Sequence, residues 1–173
     1  TRKYHAHVIY SDDHGKTWRR GKPTAEGANE CQVVELTDGR VLLNCRNYNR
    51  QWKCRSITYS DDGGESWSDF RYDEVLVEPI CQASLIALPD HPRTLVFSNP
   101  ADTEDRLRLT VRLSDDEGNT WKNALEVHRG PAAYSCLSYM GNGRIGVLYE
   151  NGVDSAYEQI AFRIVSLETL LSR

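Results

Sequence analysis

The sequence has no long hydrophobic run and no excess of positive charge. None of its apolar stretches approaches the roughly 20 residues of a membrane-spanning helix, so no membrane span is expected in this segment. With 21 Lys and Arg against 25 Asp and Glu, the formal net charge is −4, and the basic residues are scattered along the chain. This argues against a general nucleic-acid-binding protein.

Patterns typical of metal sites are also missing. The five histidines do not have the spacing of a ligand set, and none of the five cysteines forms a C-x-x-C pair. We therefore expect no metal and no cofactor. Cys45 and Cys54 flank a loop over 46–53, which suits either a disulfide or two buried free thiols. Both alternatives, and with them the cellular compartment, stay open.

The sequence does contain an eight-residue pattern, S-D-D-x-G-x-[ST]-W, that occurs three times. The copies cover 11–18, 60–67 and 114–121, and this regular spacing marks repeated units such as propeller blades. In each copy the Ser and Asp side chains suit hydrogen bonds to nearby backbone N–H groups, and Gly suits a positive φ. The Trp suits burial between neighbouring units. Each copy, called a box below, predicts a self-stapled turn between two strands.

Short apolar segments and turn signals divide the whole chain into strand pairs. The predicted blade pieces and a short C-terminal helix cover about 1–20, 30–72, 79–128, 132–165 and 166–172. At roughly 50 residues for a four-stranded blade, 173 residues supply about three and a half blades. We therefore expect the C-terminal half of a larger propeller domain; the alternative is a complete small β domain.

Strand order brings a chemically distinctive set of residues to one face of the predicted propeller. In an antiparallel meander, the starts of first and third strands and the ends of second strands share a face. The boxes join third to fourth strands and lie on the opposite face, so their carboxylates Asp13, Asp62 and Asp116 are predicted to be structural. The residues predicted on the box-free face are Glu30, Arg46, Arg106, Tyr134 and Glu150. Because loops on a rigid scaffold carry function, this face is the predicted site.

These residue types suit an anionic substrate. Guanidinium groups bind a planar carboxylate through two parallel hydrogen bonds. A free tyrosine, with a pKa of about 10, is a poor nucleophile at neutral pH. A neighbouring carboxylate that accepts its proton makes it a usable one.

The box pattern resembles the Asp-box of the sialidase (neuraminidase) superfamily, whose members are six-bladed β-propellers. The resemblance extends over essentially the whole chain and is greatest to bacterial exo-α-sialidases and the animal lysosomal sialidase. The similar segments read ECQVVELTDG (30–39), LLNCRN (42–47), SNP (98–100), RLRLTVR (106–112), GPAAYS (130–135) and LYENG (148–152). The resemblance implies an all-β fold, part of a six-bladed propeller of four-stranded antiparallel blades.

The same resemblance implies an exo-α-sialidase, a glycoside hydrolase that removes terminal sialic acid with retention through a tyrosyl–enzyme intermediate. Tyr134 would attack the anomeric carbon, and Glu30 would take its proton. Arg46 and Arg106 would bind the sugar carboxylate. The implied partners are sialylated glycans on glycoproteins, gangliosides or oligosaccharides. The implied location is secreted, periplasmic or lysosomal.

Some assignments keep alternatives. Arg108 and Arg112 share the strand parity of Arg106, so either is an alternative for its role. Glu150 resembles the glutamate that steadies the first arginine of the family's triad, but it also suits a hairpin cap. Asn99 is a candidate contact for the glycerol or N-acetyl arm of the substrate, although loop polarity explains it nearly as well.

Two parts of the family pattern have no match in this chain: the first triad arginine and the acid/base aspartate. We therefore expect that this 173-residue piece alone hydrolyses nothing. The rival interpretations are a non-catalytic Asp-box propeller that binds glycans or proteins, and a trans-sialidase that transfers the sugar to another glycan. The catalytic interpretation is favoured because the tyrosine, glutamate and arginine positions are filled.

Overall fold

A computed structural model describes residues 3–172 as a chain of antiparallel β-strands. The described strands and helix are, in chain order, β1 (Ile9–Tyr10), β2 (Arg19–Arg20), β3 (Ala28–Glu35), β4 (Val41–Asn47), β5 (Cys54–Ser60), β6 (Arg71–Val77), β7 (Ser84–Ala87), β8 (Leu95–Pro100), β9 (Leu107–Ser114), β10 (Asn123–Tyr139), β11 (Arg144–Asn151), β12 (Gln159–Ser166) and α1 (Leu167–Leu171). They form a two-stranded sheet of β1 and β2, a four-stranded sheet of β3 to β6, and a six-stranded sheet of β7 to β12. The predicted all-β antiparallel fold is confirmed.

The four-stranded and six-stranded sheets pack face to face. Their shared buried cluster contains, from the first sheet and then the second, Leu42, Ile57, Leu76, Leu85, Leu95 and Phe97. Full burial of one such side chain stabilises the fold by about 1.5–3 kcal/mol, so this contact fixes how the two sheets face each other. Strand β8 is buried along its whole length, as expected for a strand covered on both faces.

Strand β10 is 17 residues long and belongs to two strand pairs in succession. Its first part pairs with β9 up to Pro131 opposite Leu107, and its second part pairs with β11 from Ala132 opposite Asn151. The change of partner falls where the sequence predicts a boundary between the third and fourth units. The continuous strand joins these two units into one sheet, while the division of the chain into blades stays a prediction.

The boxes are turns held by their own side chains. In the second box, Asp62 accepts the backbone N–H of Ser66 at 2.8 Å, and the Ser60 hydroxyl donates to Asp62 at 2.7 Å. The same hydroxyl accepts the N–H of Gly64 at 2.8 Å, and Gly64 has a φ of 96°. Equivalent bonds form in the first and third boxes. The pattern thus encodes a turn that satisfies its own backbone donors.

The box tryptophans do not all have the same surroundings. Trp67 packs against a buried cluster that includes Ala6 of the preceding unit, and Trp121 packs against the cluster between the two large sheets. Trp18 is 60% exposed, so the predicted burial between units is wrong for the first box. Trp18 precedes β2, which pairs with β1 alone among the described strands.

The boxes lie at the opposite strand ends from the predicted site. Ser60 of the second box pairs with Val41, the first residue of β4, whereas Arg46 is next to the last residue of that strand. Likewise Ser114 of the third box pairs with Leu95, the first residue of β8. The chain ends in α1, where the hydroxyl of Ser166 accepts the N–H of Thr169 at 3.1 Å as an N-cap. No helix among residues 3–172 has the length and apolar character of a membrane span.

All five cysteines are free thiols. Cys45 on β4 lies opposite Cys31 on β3 and opposite Ser56 on β5, so Cys54 is not its cross-strand partner. Cys45 and Cys54 are both buried. Of the two alternatives for this pair, the structure has the buried free thiols.

Candidate active site

The side chains of Glu30, Arg46 and Tyr134 form a hydrogen-bonded triangle. The Tyr134 hydroxyl donates to Glu30 Oε1 at 2.6 Å, and Arg46 Nη1 donates to Glu30 Oε2 at 2.6 Å. Arg46 Nη1 also lies 3.2 Å from the Tyr134 hydroxyl oxygen, which accepts from it. Although Glu30 and Tyr134 are 104 residues apart in sequence, strand order places them in direct contact.

A β-bulge places Glu30 at this point. Pairing between β3 and β4 shifts between Ala28 and Cys31, and Glu30 lies inside that irregularity. Its backbone N–H bonds the Asn29 side chain at 2.7 Å. Bulges change the direction of a side chain and are frequent beside active sites, which explains how a residue near the start of β3 reaches Arg46 on β4.

Within the described part of the chain, the surroundings of Arg46 leave one of its N–H donors without an acceptor. Its guanidinium carbon lies 5.1 Å from the centroid of the Tyr48 ring, within cation–π distance. Its Nε is buried and has no hydrogen-bond partner among residues 3–172. A buried N–H without an acceptor is costly.

Arg106 lies against the ring of Tyr134. Its guanidinium carbon is 5.7 Å from the ring centroid, Nη1 donates to the Tyr157 hydroxyl at 2.5 Å, and Nη2 donates to the Ile80 carbonyl at 3.3 Å. Two guanidinium groups thus contact Tyr134, one at its hydroxyl and one at its ring.

The two alternative arginines are placed elsewhere. Arg108 is exposed and bonds Glu126 at 3.2 Å. Arg112 lies toward the box end of β9, opposite Phe97. Of the three arginines that share strand parity, Arg106 is therefore the one that contacts Tyr134.

Glu150 and Asn99 occupy different positions relative to the triangle. Glu150 Oε2 accepts the backbone N–H of Tyr134 at 3.0 Å, so it holds the backbone of the tyrosine. Asn99 is 0% exposed, and its Nδ2 donates to the Val77 carbonyl at 2.7 Å. The structure does not bring Asn99 to the surface of the site, because it belongs to the buried strand β8 and not to the loop that its polarity suggested.

An open cavity of about 290 Å³ lies beside Tyr134. Gln82 and Glu150 form polar parts of its wall, and Leu148 and Ile160 form apolar parts. The described part of the chain holds no group of three or more His, Cys, Asp or Glu side chains arranged to bind a metal ion. The polar side chains at this cavity are those of Gln82, Tyr134, Ser135, Cys136 and Glu150.

The pKa values of Glu30 and Tyr134 shift in opposite directions within the triangle. Burial raises the pKa of Glu30, but hydrogen bonds from Tyr134 and Arg46 outweigh this effect and hold the pKa below its ordinary value. Burial and then the hydrogen bond to Glu30 raise the pKa of Tyr134, against the opposing charge of Arg46. At neutral pH the carboxylate is charged and the phenol keeps its proton. The 2.6 Å hydrogen bond between them is the path along which that proton can leave.

A buried ion pair behind the site was not predicted from the sequence. Arg55 and Glu78 are both 0% exposed, and Arg55 Nη1 lies 2.5 Å from Glu78 Oε2. Glu78 Oε1 accepts the backbone N–H of Asn47 at 2.5 Å, and Arg55 Nε donates to Asn44 at 2.6 Å. The pair thus holds the peptide unit next to Arg46. No local signal was available, because β5 is mostly polar in sequence and Arg55 within it looks like a solvated side chain.

Known proteins resemble this chain over most of its length. Residues 1–147 match the family model described as a BNR repeat-like domain. The chain is 40% identical over 161 residues to a sialidase of Micromonospora viridifaciens, across 89% of this chain and 25% of that protein. It is 33% identical over 182 residues to sialidase-2 of Mus musculus, across 94% of this chain and 46% of that protein.

A solved sialidase structure is also similar to this chain. The Hadza microbial sialidase Hz136 matches with a TM-score of 0.85 and 35% identity, across 96% of this chain and 33% of that one. The chain therefore spans a quarter to about half of the length of these relatives.

Proposed function

Because the chain belongs to the sialidase superfamily of BNR-repeat β-propellers, we propose that it carries the nucleophile and part of the carboxylate-binding site of an exo-α-sialidase. The enzyme hydrolyses terminal sialic acid from glycoconjugates with retention of configuration. The observation that carries the proposal is the 2.6 Å contact between the Tyr134 hydroxyl and the Glu30 carboxylate. A non-catalytic binding module has no need of a phenol paired with its own base.

In the first step, the Tyr134 oxygen forms a bond to the anomeric carbon while the bond from that carbon to the leaving glycan oxygen breaks. The phenol proton passes to Glu30. The leaving oxygen takes its proton from an acid that has no match in this chain. In the second step, water attacks the same carbon and gives a proton to the acid that has no match in this chain, the tyrosyl bond breaks, and Glu30 returns its proton to the phenol oxygen. Two displacements at one carbon leave its configuration unchanged.

A phenol suits this substrate better than a carboxylate nucleophile does. The anomeric carbon of a sialic acid bears a carboxylate, which repels an attacking anion, whereas a tyrosine attacks as a neutral group paired with its base. Arg46 and Arg106 contact Tyr134 from two sides. Their positive charge stabilises the substrate carboxylate and the negative charge that develops on the phenol oxygen.

Replacing the nucleophile tests the proposal. In the full-length protein, Tyr134→Phe is expected to lower turnover of a fluorogenic sialoside by about 10³-fold or more, because no oxygen remains to attack. Its melting temperature should stay close to that of the wild type, since the ring is retained. The matched control is Tyr139→Phe on the same strand, which removes a hydroxyl bonded to Asp90 and should leave turnover unchanged.

Turnover of Tyr134→Phe at the wild-type rate would refute the assignment. Product analysis with an added galactoside acceptor separates hydrolysis from transfer. Free sialic acid as the only product supports the sialidase, and a sialylated acceptor supports a trans-sialidase.

A further inference from the structure

The backbone around Tyr134 lacks a regular strand ladder. Tyr134 follows the point where β10 changes partner, and the pairing with β11 shifts between Ala132 and Ser135. The Tyr134 N–H is bonded by the Glu150 carboxylate instead of by a facing carbonyl. The peptide units on either side of the proposed nucleophile therefore depend on side chains for their hydrogen bonds.

The side chain of Gln82 bonds the backbone of Ser135, the residue at which regular pairing with β11 resumes opposite Tyr149. Gln82 Oε1 accepts the N–H of Ser135 at 3.0 Å, and Gln82 Nε2 donates to the Ser135 carbonyl at 3.0 Å. This two-point contact copies the pair of bonds that facing residues exchange in an antiparallel sheet. A single carboxamide thus holds both polar groups of the residue that follows Tyr134.

The segment that carries Gln82 has a strained backbone. Ile80 has a φ of 54°, which a β-branched residue rarely adopts and which costs on the order of 1–3 kcal/mol. The Ile80 carbonyl accepts from Arg106 at 3.3 Å, and Gln82, two residues later, reaches Ser135. The strained segment therefore contacts both the guanidinium at the Tyr134 ring and the backbone beside Tyr134.

Building on the proposed function, we infer that Gln82 is a positioning residue for the nucleophile. Its carboxamide holds the Ser135 backbone so that the Tyr134 hydroxyl stays within hydrogen-bond reach of Glu30. The side-chain hydrogen bonds of Gln82 within residues 3–172 both go to Ser135, and none goes to Glu30 or Arg46. The effect of Gln82 on the reaction passes through the backbone of β10, and a misplacement of about 1 Å at a reacting atom costs up to about 10²-fold in rate.

The test is Gln82→Met in the full-length protein, which keeps the length of the side chain and removes both hydrogen bonds. The expected result is a kcat reduced by about 10- to 100-fold with little change in KM, because the substrate-binding arginines stay in place. The acidic limb of the kcat/KM profile should also move to higher pH. The hydrogen bond from Tyr134 lowers the pKa of Glu30, so loosening that bond raises it.

Ser84→Ala is the matched control. The Ser84 hydroxyl accepts the N–H of Leu137 on the same strand at 3.0 Å, so both variants remove side-chain support from the backbone of β10. Ser84→Ala should lower the melting temperature to a similar extent but leave kcat and the acidic limb at their wild-type values. A merely structural role for Gln82 predicts the same behaviour for both variants, and that result would overturn the inference.

Two further outcomes are distinguishable. If Tyr134→Phe keeps its turnover, the proposed function fails; if that variant is inactive and Gln82→Met behaves like Ser84→Ala, only the positioning role fails.

Should Gln82→Met not fold, Gln82→Glu answers the question, because it keeps an acceptor for the Ser135 N–H and loses the donor. Protonation of the new carboxyl toward about pH 4 restores a donor. Its kcat relative to the wild type is expected to rise as pH falls, and a constant ratio would contradict the inference.

Discussion

The buried pair of Arg55 and Glu78 gives a prediction whose size follows from the structure. Both side chains are 0% exposed, so each charge depends on the other and on a few hydrogen bonds. Arg55→Met removes the cation and leaves the Glu78 carboxylate buried with the N–H of Asn47 as its remaining partner. Breaking a buried pair in this way costs about 3–5 kcal/mol. In a domain of 150–250 residues this corresponds to a fall of about 6–20 °C in Tm, and the fall is smaller in a longer cooperative unit because its unfolding entropy is larger.

The double variant Arg55→Met/Glu78→Gln should be more stable than Arg55→Met alone. The second substitution removes the uncompensated charge, while the carboxamide oxygen that it introduces still accepts the backbone N–H that Glu78 accepts now. This non-additivity is the signature of a pair and not of two independent residues. Because the pair is buried, added salt should change the Tm difference little.

Differential scanning calorimetry of the full-length protein measures these shifts. The matched control is Arg40→Met, which breaks the exposed pair of Arg40 and Asp38 at 2.8 Å and should leave Tm nearly unchanged. The reasoning would be refuted if the Tm losses of Arg55→Met and Glu78→Gln, each measured alone, added up to the loss of the double variant. Equal effects of Arg55→Met and Arg40→Met would also refute it, since burial is the only reason to expect a difference.

Two further predictions concern protonation. Glu30→Gln should lower kcat/KM by about 10²- to 10⁴-fold, because an amide cannot take the phenol proton; a pH–rate profile should also lose its acidic limb, and survival of that limb would contradict the assignment. In the first box, the hydrogen bond from the Thr17 backbone lowers the pKa of Asp13 from 3.8 to about 2. In the second box, hydrogen bonds from Ser66, first that of its hydroxyl, lower the pKa of Asp62 from 3.8 to about 2. Their stabilising contribution is therefore fully present above about pH 4 and is lost as pH falls toward about 2. Asp62→Asn should flatten the fall of Tm over that range in acid-unfolding scans, and an unchanged slope would contradict it.

The positions of the site residues were accessible from sequence because strand order is a simple constraint. The boxes mark the ends of the third strands. The antiparallel strand order then tells whether each other strand starts on the box face or on the opposite face of the predicted propeller. This reasoning places Glu30, Arg46 and Tyr134 together without any distance information. It needs only that neighbouring strands are antiparallel, which short turns enforce.

Residues held by distant contacts were not accessible in this way. Asn99 is polar and follows an apolar run, but β8 is buried along its whole length because its two faces pack into two hydrophobic clusters, and this removes Asn99 from solvent. The bond from Gln82 to Ser135 spans 53 residues, and the pair of Arg55 and Glu78 spans 23. Local composition carries no signal for a partner at such separations, because either residue alone looks like a solvated polar side chain.

The two acidic groups of the triangle lie where strand pairing is irregular. Glu30 lies in the shift of β3 against β4, and Tyr134 lies in the shift of β10 against β11. A regular ladder fixes side-chain direction with a period of two, so it would point these groups along the sheet normal. The irregularities turn them toward one point, and the backbone N–H groups of Glu30, Tyr134 and the adjoining Ser135 are bonded by the side chains of Asn29, Glu150 and Gln82. The same departure that makes the contact possible therefore creates the need for positioning side chains, which is why the support of this site is carried by amides and carboxylates and not by the sheet.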